Sequence, residues 1–329
     1  MLKYLITGGT GFIGAALAQR LVREGHKVRI LDNNVRGNKE RLRNIFEKIE
    51  LIQADIRNAR AVQNASKGVD AVWHLAAING TEFFYTKPEI VLEVGVRGVM
   101  NILDACIKEN IGELFLASSS EVYQTAPVIP ADENVPLCVP DPLNPRYSYA
   151  ASKIISELMV INYGRKCFKR VVIFRPHNVY GPDMGWEHVI PQFALRMHKI
   201  CQGSSEKKIE FPMQGTGKET RAFVFIEDLI DGLMLLAKKG KHLNIYNIGT
   251  TEEMTMKSVA IAVARYFRRE VEIIPGKLAG GGTLRRCPDI SKIAALGYKP
   301  KYKFRDGLPV AVRWYDENAD GYLRLKEKK

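Results

Sequence analysis

The chain has 329 residues, 46% hydrophobic and 26% charged, an ordinary globular composition. No apolar run approaches the ~20 residues that a bilayer crossing needs, and the N-terminal MLKYLITGGTGFIG runs into a glycine motif rather than a cleavage region, so a cytoplasmic protein is expected. The +13 formal charge suits anionic ligands but has no aromatic-interleaved stripe for nucleic acid, and five scattered cysteines without C-x-x-C argue against a disulfide framework or a metal site.

Residues 2–7 (LKYLIT) read as a buried strand, followed by glycines at 8, 11 and 14 and a helix over 12–24 that Gly25 ends. Gly8 permits the tight turn, Gly11 a close backbone approach to a pyrophosphate, and Gly14 close packing of helix on sheet. With Phe12 and Ile13 these glycines form a cradle at a helix N-terminus, whose free N–H groups and dipole favour phosphate. The next strand, KVRILD (27–32), ends on Asp32, with Asn33 after it. An acid there accepts hydrogen bonds from a ribose and repels a 2′-phosphate, so NAD is predicted over NADP, although Arg36 and Lys39 follow closely. IELIQAD (49–55) is strand-like and places Asp55 and Ile56 near the adenine; DAVWHLAA (70–77) is a fourth strand whose end, Leu75-Ala76-Ala77, presses small residues against the cofactor.

A helix over 95–110 and a strand over 113–120 follow, the latter ending in Ser118, Ser119 and Ser120. The next helix (148–165) carries Tyr149 and Lys153, which share one face at i and i+4. An ammonium near a phenol, together with a positive nicotinamide, lowers its ordinary pKa near ~10 and permits proton transfer. RVVIFRP (170–176) is a further strand, after which Gly- and Pro-rich loops (YGPDMGW, FPMQGTGKE, PGKLAGGG) and shorter helices (189–201, 226–239) mark a change of texture. NIYNIG (244–249) reads as a strand returning to the core. The expected fold class is α/β, a Rossmann-type doubly wound parallel sheet over 1–176, with 220–249 partly returning to it and a smaller substrate-binding lobe over 177–329.

In this order, the glycine motif, S-S-x-x-V-Y, Y-x-x-x-K, RPHNVYGP (175–182), TRAFVFIEDL (220–229), NIYNIG and RRCPDI (285–290) resemble an extended short-chain dehydrogenase/reductase of the nucleotide-sugar epimerase/dehydratase family, over nearly the whole chain. The resemblance implies bound NAD, a nucleotide-diphosphate sugar substrate and a homodimer. It implies Tyr149 as base with Lys153 as partner, both also touching the cofactor, and Ser119 as the hydroxyl beside the reacting oxygen. Asn178, Arg221 and Arg286 would hold the sugar diphosphate, Ser120 and His188 would line the sugar pocket, and His177 would lie near the nicotinamide. Arg285 is read as a surface charge.

Three departures stand out: Gly95 where many relatives carry Asn, Gln124 in place of Gly after V-Y, and Glu121 where simple 4-epimerases have a small or neutral residue. A carboxylate beside a 4-keto sugar could remove the C5 proton. The expected activity is an epimerase or dehydratase working through a transient 4-keto sugar. A uronate decarboxylase using Glu121, or a non-catalytic NAD-binding regulator, are the alternatives.

Overall fold

Seven runs rich in aliphatic and β-branched residues pair as one parallel sheet in a computed structural model that describes residues 1–277 and 282–327. The strands are β1 (Lys3–Thr7), β2 (Lys27–Asp32), β3 (Ile49–Gln53), β4 (Ala71–His74), β5 (Glu113–Ala117), β6 (Arg170–Pro176) and β7 (Asn244–Ile248), in spatial order β7-β6-β5-β4-β1-β2-β3. β1 pairs with both β2 (Lys3 opposite Lys27) and β4 (Tyr4 opposite Ala71), so the order reverses beside β1. Such a reversal opens a crevice at the carboxyl ends of the strands.

Both faces are covered, as a parallel sheet requires. Alternate residues divide between two apolar layers. Tyr4, Ile6, Trp73, Phe115 and Phe174 face one, where Trp73 stacks on Phe115 with ring centroids 4.1 Å apart. Leu5, Leu31, Val72, Leu114 and Ile173 face the other. The α-helices of eight residues or more are α1 (Phe12–Arg23), α2 (Ala59–Ser66), α3 (Pro88–Lys108), α4 (Ser148–Cys167), α5 (Val189–Gly203), α6 (Ile226–Lys239), α7 (Met256–Tyr266) and α8 (Phe304–Glu327). The helix predicted over 95–110 begins earlier, because Pro88 sits at its start, where the missing N–H costs nothing, and Glu89 complements the dipole. Short α2 lies outside the elements expected from the sequence; Asn58 caps it by accepting the Ala61 N–H at 3.1 Å.

The expectation of short C-terminal helices is corrected by α8, 24 residues long and running through Pro309. Leu308, Ala311, Val312, Tyr315 and Ala319 are buried along it, and that burial overrides the local breaker signal of Gly307 and Pro309. Three short strands, Thr220–Ala222, Glu253–Thr255 and Arg285–Arg286, form a separate small sheet. The predicted Gly-rich loop over 275–282 lies partly outside the described residues. No helix among the described residues is long and apolar enough to cross a membrane.

Gly95 has a packing reason. A Cβ there would lie 2.6 Å from Ser152 Cβ on α4, and Ser156 Oγ donates to the Gly95 carbonyl at 3.1 Å. α3 and α4 therefore approach as closely as a missing side chain allows. Gly95→Val is expected to lower the unfolding free energy by about 1–3 kcal/mol, read by urea denaturation, since overpacking must push the two helices apart.

Candidate active site

The cofactor cleft begins at the β1–α1 turn. Gly8 has φ +73°, and a Cβ there would stand 2.8 Å from the Ala76 backbone; one on Gly14 would fall on the Gly8 carbonyl oxygen. The turn is thus pressed between β4 and α1, leaving backbone N–H groups at the helix start for phosphate. Beside it runs a cleft of about 390 Å³ lined by Gly8, Gly11, Asp32, Asn33, Asp55, Ile56 and Leu75 to Ala77. That volume and the glycine cradle fit a dinucleotide. The side chains of Phe12 and Ile13, half-buried at the helix start, pack against the core.

Asp32 Oδ2 accepts the Thr10 N–H at 3.0 Å and Oδ1 the Asn34 N–H at 2.9 Å, which fixes the carboxylate at the strand end. Asp55 is clamped by Arg57 (3.0 and 2.8 Å) and by Asn33 Nδ2 (3.0 Å), and the Arg57 hydrogen bonds hold its carboxyl down at about 2. Lys39 is exposed, and Arg36 turns toward Phe83 and Glu187.

The reactive cluster gathers at the end of β5. α4 presents Tyr149 and Lys153, both buried, and Lys153 Nζ donates to the Ala117 carbonyl at 2.7 Å while lying 5.7 Å from the Tyr149 ring centroid. Phe84 stacks on Tyr149 at 5.2 Å. Burial pushes the Tyr149 phenol up to about 12; its hydrogen bond with Ser119 opposes this and the Glu121 charge adds to it. Burial also drives the Lys153 ammonium down to about 8, against the attraction of Glu157. The phenol therefore departs from the expected lowering by its lysine: desolvation raises it, and what opposes the rise is the Ser119 hydrogen bond. Ser119 caps the turn after β5, its Oγ accepting the Glu121 N–H at 3.1 Å. Ser120 is buried beside it, whereas Ser118 donates to Glu157 and is structural.

Arg221 and Arg286 lie opposite one another in the small parallel strand pair. Arg286 Nη1 donates to Glu121 Oε1 at 2.6 Å and Nη2 to Thr283 Oγ1 at 3.1 Å, while Arg221 Nη2 donates to the Thr283 carbonyl at 2.6 Å. Burial works to raise the Glu121 carboxyl, but Arg286, Arg146 and Arg221 prevail and hold it below the ordinary value. Burial, then repulsion from Arg286, lowers Arg221 to about 10. Arg285 instead makes an exposed two-pronged pair with Glu253. Asn178 takes a left-handed conformation (φ +36°) and donates to the Ala222 carbonyl at 3.2 Å.

The two histidines named from the sequence sit in different settings. The His177 side chain is fully buried, its Nε2 paired with Asn247 Oδ1 at 3.2 Å, and its backbone N–H donates to the Ile248 carbonyl at 3.0 Å. The charged neighbours of His188 are Arg36 and Glu187. Behind the cluster runs a polar network. Arg175 binds Glu157 through Nε (2.8 Å) and Nη2 (2.6 Å) and Tyr123 through Nη1 (2.8 Å), and Tyr123 donates to Asn247 at 2.8 Å. Glu157 was within reach of the sequence, since it follows Lys153 at i+4 on the Tyr149 face.

Residues 4–249 match the family described as the NAD dependent epimerase/dehydratase family. The chain belongs to that family. It is 31% identical to "UDP-glucuronic acid decarboxylase 6" of Arabidopsis thaliana, covering 94% of this chain and 87% of the relative. It is 32% identical to a "Putative UDP-glucose 4-epimerase" of Methanocaldococcus jannaschii, covering 95% and 98%. The structure is similar to that of the dTDP-glucose 4,6-dehydratase of Streptomyces venezuelae solved with NAD and TYD bound, with TM-score 0.85 and 29% identity over 97% of this chain and 98% of that one.

Burial carries both His74 and His177 down to about 3; the charge of Lys153 adds to the shift at His74, and at His177 the charges of Arg286 and Arg175 add to it while the Asn247 hydrogen bond opposes it. Their folded values lie below the unfolded one, so the unfolded chain binds more protons between them. The stability they contribute is complete above about pH 6.5 and falls with pH, each histidine steepening the loss by up to about 1.4 kcal/mol per pH unit. Urea denaturation should show this steep loss between pH 6.5 and 5, and His177→Gln should remove about half of the histidine part of the slope.

Proposed function

We propose that this NAD-dependent protein reworks the sugar of a nucleoside-diphosphate sugar through transient oxidation at C4, as an epimerase or a dehydratase. The observation that carries the reading is the convergence of Ser119, Tyr149 and Lys153, from the turn after β5 and from α4, beside the glycine-lined cleft, with Glu121 linking them to the paired Arg221 and Arg286. The UDP- and dTDP-sugar activities named for its relatives support the same reading.

NAD, held by the Gly8–Gly14 turn and Asp32, would supply a two-electron acceptor for the hydride of the sugar carbon and for its return, so the cycle would have no net redox change. Tyr149 takes the C4 hydroxyl proton as the C4–H bond breaks and the carbonyl forms, and gives it back when the carbonyl is reduced. Since burial keeps the phenol protonated on its own, this role depends on positive charge brought into the site with the ligands. Ser119 donates to the reacting oxygen. Lys153, fixed on the Ala117 carbonyl, supplies the adjacent cation. The guanidinium forks of Arg221 and Arg286 match diphosphate oxygens.

A second reading, C5 chemistry in a dehydratase or decarboxylase, is favoured by Glu121, an ionised carboxylate within the same cluster. Its ion pair with Arg286 makes it a weaker base, so proton removal from C5 requires that pair to open. A purely regulatory NAD-binding role is disfavoured by the complete Ser119–Tyr149–Lys153 set.

α3 and α4 leave Leu92, Met100, Ile107, Ile155, Leu158 and Tyr163 exposed, which supports pairing of two chains through these helices as a homodimer. Leu158→Glu should yield a monomer by sedimentation velocity if these helices form the contact.

Incubation with UDP-, GDP-, CDP- and dTDP-sugars in deuterated water, read by mass spectrometry and proton NMR, tests the activity. An unchanged mass with a new stereoisomer identifies an epimerase; loss of water or carbon dioxide with deuterium incorporated identifies C5 chemistry; no turnover of any sugar overturns the proposal. Tyr149→Phe should lower kcat by about 10²–10⁴-fold while NAD affinity changes little; wild-type rates in that variant would refute its role.

A further inference from the structure

Transient oxidation sets a demand that ordinary dehydrogenation does not: the dinucleotide that takes the hydride must stay until it gives it back, or the keto sugar is stranded. The outer wall of the cofactor cleft carries a cation, Arg36, that the proposed chemistry leaves without a task. It lines the cleft together with Phe83, and its guanidinium stacks over the Phe83 ring at 5.1 Å. Gly80 makes room for it: a Cβ there would stand 2.6 Å from Arg36 Nη1, at a backbone with φ +134°. From this seat Nη2 reaches Glu187 Oε2 at 3.5 Å, on the segment between β6 and α5.

That segment is anchored at its other contacts. Arg41 grips the Asp183 carboxylate through Nε at 2.8 Å and Nη2 at 2.7 Å, and its Nη1 also donates to the Thr10 carbonyl in the glycine turn at 3.0 Å. The Met184 N–H donates to the Tyr315 hydroxyl of α8 at 2.7 Å, and Trp186 stacks on Tyr322 at 4.2 Å with rings 7° from parallel. The Arg41–Asp183 grip is bidentate and short. The Arg36–Glu187 contact is single and longer, with Glu187 44% exposed. The first is the tighter of the two joints and the second the looser.

We propose that Arg36 and Glu187 form a clasp across the outer edge of the cofactor cleft, joining the β2 loop to the 183–187 segment and slowing escape of the dinucleotide between the two hydride transfers. The pairing with Glu187 also draws Arg36 away from the Asp32 end of the ribose site, which agrees with a preference for NAD over its 2′-phosphorylated form. The inference rests on the NAD-dependent reading of this site, but not on which sugar is used.

The test is dissociation of NADH from the full-length protein, followed by loss of its bound fluorescence on dilution into excess NAD⁺. Arg36→Met keeps the stem that lines the cleft and removes the charge; Glu187→Gln alters a residue that does not line it. Each should speed release by about two- to fivefold, the span expected for a partly exposed ion pair. The double variant should release no faster than the faster single variant, because both changes break one contact. Wild-type release from Glu187→Gln, or additive acceleration in the double variant, overturns the clasp while leaving the NAD reading intact. Failure of the wild-type protein to bind NADH overturns both.

Discussion

The buried ion pair between Glu157 and Arg175 is the contact on which the rest of the site depends. Their side chains are 3% and 2% exposed, so neither charge has water to fall back on. Glu157 belongs to α4, the helix that carries Tyr149 and Lys153; Arg175 belongs to β6. Through Ser118 the pair reaches the end of β5, and through Tyr123 and Asn247 it reaches β7. Four elements are thereby locked in one register around the reacting groups. Removing one member of such a pair strands the other charge and commonly costs about 3–5 kcal/mol, whereas the intact pair stabilises little beyond an apolar equivalent. Its value is positional: it sets where the α4 face points.

The same enclosure explains the charge state of the site. Desolvation pushes Tyr149 up and Lys153 down, so both groups stand closer to their neutral forms than exposed residues would. Glu121 goes the other way because Arg286 bonds it directly, with Arg146 and Arg221 nearby. Three guanidiniums around one carboxylate leave the pocket positive, the right bias for a diphosphate. Anion binding and proton transfer are thus prepared by opposite uses of burial, paired in one case and unpaired in the other.

The departures from the family pattern resolve into local packing. Gly95 lets α3 and α4 close on Ser152 and Ser156. Gln124 adopts φ +43°, a conformation that disfavours any residue with a Cβ, but its Nε2 donates to the Glu121 carbonyl at 2.7 Å and ties the strained position to the turn after β5. A glycine there would have the conformation without the tie.

The sequence by itself determined the features that local physics controls. Strand periodicity and the spacing of Gly8, Gly11 and Gly14 announced a parallel sheet with a phosphate cradle, since a turn, a close approach and a helix start are all decided within a few residues. The Tyr149–Lys153 spacing placed both groups on one helix face for the same reason. Pairings across long stretches of chain were decided only by the tertiary structure. Arg221 meets Arg286 because two distant strands align. Arg286 meets Glu121 across 165 positions. Arg36 turns to Glu187 because a glycine notch and an aromatic ring leave it that path. His177 becomes a buried network member because β7 brings Asn247 beside it. A linear pattern carries the chemistry of each group, but the distance and dielectric between groups, which set their pKa values and partners, exist only once the chain has folded.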